Sequence, residues 1–261
     1  MSDNCLSVVM PAYNEAATLA AVVEKVLRIA NLLEIIIVDD GSTDGTYGIA
    51  EELARRHGQV RVIHQKNAGK TASLRAGFSA TQGSVVIVQD ADFEYDPDEI
   101  GNVIDPILSG KADVVYGSRF LVRRATRVLY FYHYVANKIL TFISNMLTNL
   151  NMTDIETCYK AFRGEIIRNM IIVSDGFGFE VEATAKIAKL SCAIYEVPIS
   201  YYGRTYAEGK KIGVWDGVIA LWLILRFNLF HGLRRSFRQV PKLDARFAEA
   251  IGSGADGLLE S

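Results

Sequence analysis

The chain has 261 residues, 50% of them apolar and 22% charged, with a formal net charge of −2. That composition excludes a disordered chain, and the small net charge offers no global attraction to nucleic acid, so no nucleic-acid partner is expected. The length admits one large domain or two small ones.

The N-terminus, "MSDNCLSVVM", carries no basic segment followed by a long apolar run, so no secretory signal is expected. Cys5, Cys158 and Cys192 lack metal-ligand spacing and read as buried thiols of a reducing compartment, Cys158 as a core residue. "LSVVMPAY" reads as a first strand, and 14–29 carries helical spacing through Leu19, Val22, Val23, Val26 and Leu27. "EIIIVDD" is a second buried strand, followed by a glycine-containing turn and a helix over 46–57. "VRVIHQ", the helical "KTASLRAGFSAT", "SVVIVQD" and "ADVVYGSRF" continue the alternation. Apolar strands separated by helices predict an α/β fold with a mainly parallel sheet covered on both faces. In such sheets ligands bind beyond the carboxyl ends of the strands.

The second half differs. Residues 128–148 form a helix with an apolar stripe through Val128, Phe131, Val135, Ile139, Phe142 and Met146. The stripe fits a core helix under the sheet, or a helix lying in a membrane interface and rimmed by Arg123, Arg124 and Arg127. Residues 214–233 are more apolar but are interrupted by Asp216, Arg226 and Asn228. A spanning helix needs about 20 mainly apolar residues, so this segment reads as an interfacial surface or a contact with a second copy or a membrane protein. The expected organisation is one domain over 1–240, including both apolar helices, and a flexible tail over 241–261.

The chemistry concentrates in "VVIVQDADFEYDP", where Asp90, Asp92, Glu94 and Asp96 alternate. On an extended chain they point the same way, and a hard divalent cation would relieve their repulsion. Asp96 has a second reading as a helix N-cap, with Pro97 at the first helical position. Mg²⁺ held by one or two carboxylates completes its shell with water and phosphates, which points to a nucleoside diphosphate. The second strand ends in Asp39 and Asp40, and an aspartate there can accept from a base N–H or a ribose hydroxyl. Lys70 stands at a helix start beside Gly69, where its charge and free backbone N–H groups suit a diphosphate. The spacing is not that of a Walker loop.

"VVMPAYNEAATL", "IIIVDDGSTDGT", "NAGKTASLRAGF", "VQDADFEYDP", "YGSRF", "TDIETCYKAFR", "GFGFEVEATAKIAK" and "VPISYYGRTYAEGKKIG" occur in that order. Together, over roughly residues 6–230, they resemble the family 2 glycosyltransferases of GT-A fold, in the branch of dolichyl-phosphate mannose synthases and bacterial polyprenyl-phosphate glycosyltransferases. The resemblance implies a Rossmann-like sheet with apolar C-terminal helices. It implies an inverting, metal-dependent enzyme that moves a hexose from a UDP- or GDP-linked donor to a polyprenyl phosphate at the cytoplasmic face of a membrane. By position, Pro11, Ala12, Tyr13 and Glu15 line the nucleotide pocket, Asp40 reads the base and Lys70 lies near the phosphates. Asp90, Ala91 and Asp92 form the D-x-D motif, whose acids bind Mg²⁺ or Mn²⁺. Glu94 joins them as a third ligand, at a place where relatives often carry another residue. Asp92, Arg119, Arg204 and Lys211 form the implied catalytic set, the basic members facing the acceptor phosphate and the diphosphate.

A phosphate acceptor also makes chemical sense. An attacking hydroxyl needs a positioned base, whereas a monophosphate, with a second pKa of about 6, is already anionic, and arginine suits its oxygens. Two alternatives stand beside this reading. One is a hydroxyl acceptor, with Glu180 or Glu182 as the base; the other is a catalytically silent scaffold that binds nucleotide and membrane.

Overall fold

The computed structural model describes residues 4–121, 128, 130–203 and 214–243. The first half alternates strands and helices in the expected order: β1 (Leu6–Ala12), α1 (Leu19–Val26), β2 (Leu32–Asp39), α2 (Thr46–Arg56), β3 (Val60–His64), α3 (Lys70–Ala80) and β4 (Val85–Val88). A 3₁₀ turn over Pro97–Glu99 leads into α4 (Ile100–Leu108) and β5 (Val114–Ser118). Then follow α5 (Phe131–Thr148), β6 (Lys160–Arg163), α6 (Gly164–Asn169), α7 (Phe179–Ile187), β7 (Ile194–Pro198), α8 (Val214–Leu229) and the short α9 (Leu233–Ser236).

The strands form one seven-stranded sheet in the order β3-β2-β1-β4-β6-β5-β7. β1 pairs in parallel with β2 and β4, and β5 with β7; β6 alone among them is antiparallel to its neighbours β4 and β5. The sheet is therefore mainly parallel, as expected. Its central strands are buried on both faces: Val8 and Met10 pack with Leu19, Val22, Ile100 and Val103 on one side. Val9 faces Leu74, Phe78, Phe179 and Ile224 on the other. This explains why those strands read as unbroken apolar runs.

Two helices differ from the expectation set by periodicity. α1 begins at Leu19 instead of near Asn14, because the preceding N–H groups are satisfied elsewhere. Asn14 takes a left-handed conformation (φ 55°), Glu15 N–H donates to Thr46 Oγ1 and Ala16 N–H to Asp44 Oδ2. These bonds clamp the β1–α1 loop to the start of α2. α5 is the second case. Its apolar stripe faces outward: Phe131, Ile139, Phe142 and Met146 are exposed, while only Leu140, Thr141 and Ser144 are fully buried. The stripe is therefore not a core face, although Leu140, with Ile143 and Leu147, packs another side of the helix against the core. The tail expected over 241–261 lies outside the described residues beyond its first three.

α3 packs tightly on the sheet at Gly77, where a Cβ would stand 2.3 Å from Val9 Cγ1 and 3.3 Å from Val38 Cγ2. Helix propensity favours alanine there by about 1 kcal/mol, but overpacking against two stiff valines costs about 1–3 kcal/mol. Gly77→Ala is expected to lower unfolding stability in urea, and an equal or higher midpoint would refute the close packing.

Candidate functional site

The carboxyl edge of the sheet opens into a cleft of about 330 Å³. It gathers Pro11, Ala12, Tyr13 and Glu15 from the end of β1, Asp40 after β2, Lys70 at the start of α3, and Asp90, Ala91, Asp92 and Glu94 after β4. All the sequence-derived donor-pocket and metal residues thus share one cavity. Its far wall comes from Glu156 and Cys158 before β6, Gly176, Phe177 and Glu180 around the start of α7, and Tyr201 after β7.

The acids do not stand in the alternating row expected of an extended strand. β4 ends at Val88, and 91–94 bend. Asp92 Oδ1 accepts the Glu94 N–H at 3.0 Å, folding the turn on itself. Glu94 Oε2 accepts the Tyr201 hydroxyl at 3.1 Å. Asp96 caps the 3₁₀ turn through the Asp98 N–H and pairs with Lys25 at 2.9 Å, so it serves the structural role foreseen for it. Among the described residues no three His, Cys, Asp or Glu side chains are placed to hold a metal. The expected Asp90, Asp92 and Glu94 trio lines one cleft but is not gathered as a three-ligand cage. An ion held by one or two carboxylates and completed by substrate phosphates needs no such trio. Asp90 and Asp92 fit that requirement; an all-protein cage does not.

Lys70 is the cationic centre of the floor. Its Nζ lies 2.7 Å from Asp90 Oδ1, donates to Cys158 Sγ at 2.8 Å and stands 3.9 Å from Glu180. Burial disfavours its charge, but the nearby carboxylates outweigh this and hold its pKa well above the usual lysine value. It is therefore a fixed ammonium. Cys158, read as a core residue, packs against the core and also meets the cleft, and burial pushes its thiol well above the usual range. Gly69 precedes Lys70 with φ 90° and lies against Gly176, so a side chain there would be strained.

Asp40, expected to read the base, also has a local structural role. It lines the cleft, but its carboxylate accepts from Ala68 N–H (2.9 Å), Gly69 N–H (2.8 Å) and Gln65 Nε2 (2.7 Å). It holds the loop that delivers Lys70. Thr18 similarly donates to the Ala91 carbonyl at 2.8 Å, tying the first loop to the acidic turn.

Arg119 is not a surface arginine, nor does it line the cleft. Its Nε and Nη2 donate to the two oxygens of fully buried Asp154 at 2.7 and 2.8 Å, and its guanidinium sits 5.1 Å from the Tyr201 ring centre. Burial works against its charge, and Asp154 more than restores it. Arg204 and Lys211, like Arg123, Arg124 and Arg127, lie outside the described residues.

Sequence reasoning passed over Glu156. Buried Lys160 donates to the carbonyls of Ile155 and Thr157, which curls that loop and turns Glu156 toward the cleft. Its Oε1 is buried and has no hydrogen-bond partner among the described residues. Burial, reinforced by Glu180, pushes its carboxyl up to about 7. No local pattern announces this residue, because its position depends on β6 running backwards.

Glu180 and Glu182, paired in the sequence, separate in the fold. Glu180 reaches the cleft. Glu182 is fully buried, accepts the Val173 and Ser174 N–H groups at 2.9 and 2.8 Å, and pairs with Lys186. It anchors the segment leading to Gly176 and Phe177, and it cannot serve as a base for substrate. Glu182→Gln leaves the buried Lys186 charge without its carboxylate and is expected to cost roughly 3–5 kcal/mol in urea unfolding. Adding Lys186→Met should recover most of that loss. A single variant within about 1 kcal/mol of wild type would show that the pair carries no such weight.

A family model described as glycosyl transferase family 2 matches residues 7–171. The chain is 31% identical over 214 residues to polyprenol monophosphomannose synthase of Mycolicibacterium smegmatis, covering 79% of this chain and 80% of that protein. It is 29% identical over 216 residues to undecaprenyl-phosphate mannosyltransferase of Micrococcus luteus, covering 78% and 86%. Glucosyl-3-phosphoglycerate synthase from Mycobacterium tuberculosis, solved with Mn²⁺, UDP-glucose and phosphoglyceric acid, superposes with a TM-score of 0.65. That likeness covers 86% of this chain and 79% of the other at 21% identity, and it shows the shared GT-A fold.

Proposed function

The chain belongs to the family 2 glycosyltransferases, and from that premise we propose that it transfers a hexose from a nucleoside diphosphate to a polyprenyl phosphate at a membrane surface. One observation carries the reading. Residues placed on β1, β2, β4 and α3 by sequence alone meet in a single cleft at the carboxyl edge of the sheet. The relatives named for polyprenyl-phosphate substrates support the acceptor.

Pro11, Ala12 and Tyr13 receive the nucleoside, with Asp40 fixing the wall beside it. Lys70 offers its ammonium to the diphosphate. Asp90 and Asp92 would hold a divalent cation, Mg²⁺ or Mn²⁺, which supplies positive charge to the diphosphate when bound. An oxygen of the acceptor monophosphate attacks the anomeric carbon. The bond from that carbon to the β-phosphate oxygen breaks, its electron pair leaves with the nucleoside diphosphate, and the configuration inverts. The attacking phosphate has no proton to surrender near neutral pH, so no general base is required. Arg204 and Lys211 supply cations for the two anions, while Arg119, paired with Asp154, braces Tyr201 at the cleft wall.

The outward stripe of α5 supports the membrane. α5 and α8 pack on each other, and together they expose Phe131, Tyr132, Phe142, Trp215 and Trp222, with Phe131 at 70% and Trp215 at 78%. Arg234, Arg235 and Arg238 are exposed just beyond α8. Aromatic and cationic groups so arranged suit an interfacial surface on anionic lipid. No described helix is long and apolar enough to cross a membrane. The cytoplasmic leaflet is the face we assign.

Two measurements test this reading. With a labelled nucleotide hexose and undecaprenyl phosphate, wild type should form labelled lipid, and excess EDTA or Asp92→Asn should cut turnover by about a hundredfold or more without unfolding the protein. Full turnover in EDTA would remove the metal assignment. In liposome flotation the protein should bind anionic vesicles and be released by carbonate. Trp215→Ser combined with Trp222→Ser should weaken binding by about tenfold or more; carbonate-resistant retention would mean insertion instead.

A further inference from the structure

The order of strands also orders the edge residues. Asp40 follows β2, Pro11 and Tyr13 close β1, Asp90 and Asp92 follow β4, Glu156 precedes β6, and Arg119 follows β5. Neighbouring strands lie about 4.8 Å apart. A nucleotide sugar laid along this edge, with its nucleoside at β2 and β1 and its diphosphate at β4, brings its hexose to β6. There the cleft presents Glu156 beside Glu180.

We propose that Glu156 hydrogen-bonds a hydroxyl of the donor hexose and sets which hexose the cleft accepts; this rests on the glycosyl-transfer reading above. Its buried Oε1 lacks a partner among the described residues. The nearest cations are committed elsewhere, Lys160 to the carbonyls of Ile155 and Thr157 and Arg119 to Asp154. Among the described residues, a phosphate approaching Glu156 would meet carboxyls whose nearest cations are already paired. A sugar hydroxyl is neutral and both donates and accepts, which matches a carboxyl whose pKa, raised by burial and Glu180, lies at about 7. The phosphate acceptor needs no base, so Glu156 has no proton to take. A site that hydrogen-bonds a substrate hydroxyl strongly rejects an epimer that moves it, because the buried carboxyl is then left unpaired.

The test compares wild type, Glu156→Met and Glu156→Gln by calorimetric titration with UDP, GDP, UDP-glucose, UDP-galactose and GDP-mannose in the presence of Mn²⁺. Methionine keeps the length and removes both hydrogen-bonding oxygens, so the fold should persist. We expect Glu156→Met to bind the preferred nucleotide hexose about tenfold more weakly, to bind the free nucleoside diphosphate within about twofold of wild type, and to lose preference between epimers. Glu156→Gln should keep most of the affinity, since an amide both donates and accepts. Unchanged hexose affinity in Glu156→Met, or equal loss of nucleoside diphosphate and nucleotide hexose, overturns the proposal while leaving the transferase reading intact. A wild type that binds none of the five ligands overturns both.

Discussion

Because β6 runs against β4 and β5, its first residue, Lys160, lies beside the carboxyl end of β4, where Ile87 pairs with Ala161. A parallel strand in that place would present its far end to the cleft. The reversal instead delivers the loop over 154–159 to the acidic turn, and side chains lock the two together. The Tyr159 hydroxyl donates to the Asp96 carbonyl at 2.8 Å, and the Cys158 N–H donates to the Tyr95 hydroxyl at 3.1 Å. Asp154 reaches Arg119 from the same loop. The far wall of the cleft, and the company that Lys70 keeps, follow from this one ladder.

A second constraint is the balance of charge in a partly dry space. Lys70 answers Asp90 and stands near Glu180, Arg119 answers Asp154, and Lys186 answers Glu182. Buried charges persist when paired and become costly when one partner is removed. Glu156 stands outside this pairing and responds by holding its proton more tightly. Among the described lining residues, the cleft thus combines one fixed cation, Lys70, with a carboxyl that has no cationic partner of its own.

The helices of the second half complete the arrangement. Phe227, Leu223 and Ile224 of α8 pack against the core, while Trp215 and Trp222 face outward. α5 keeps only a narrow buried edge. The face that these helices leave exposed is apolar and aromatic, which is what a lipid-borne acceptor would meet.

Local pattern determined the alternating first half, the burial of its strands, the cap at Asp96 and the acids and lysine from β2, β4 and α3 that reach the cleft, and the family resemblance added Pro11, Ala12, Tyr13 and Glu15 from β1. These are legible because a buried parallel strand must be apolar along its length, and its ligand-bearing residues must follow its carboxyl end. The tertiary structure decided what local pattern could not. Four-residue β6 carries too little period to betray its direction, so Glu156 and Cys158 were not assignable to the cleft. Glu180 and Glu182 are two residues apart on one helix, and only packing sends the first to the cleft and the second to Lys186. The stripe on α5 looks the same whether it meets a core or a lipid, because periodicity records that a face is apolar and tertiary packing alone decides what covers it.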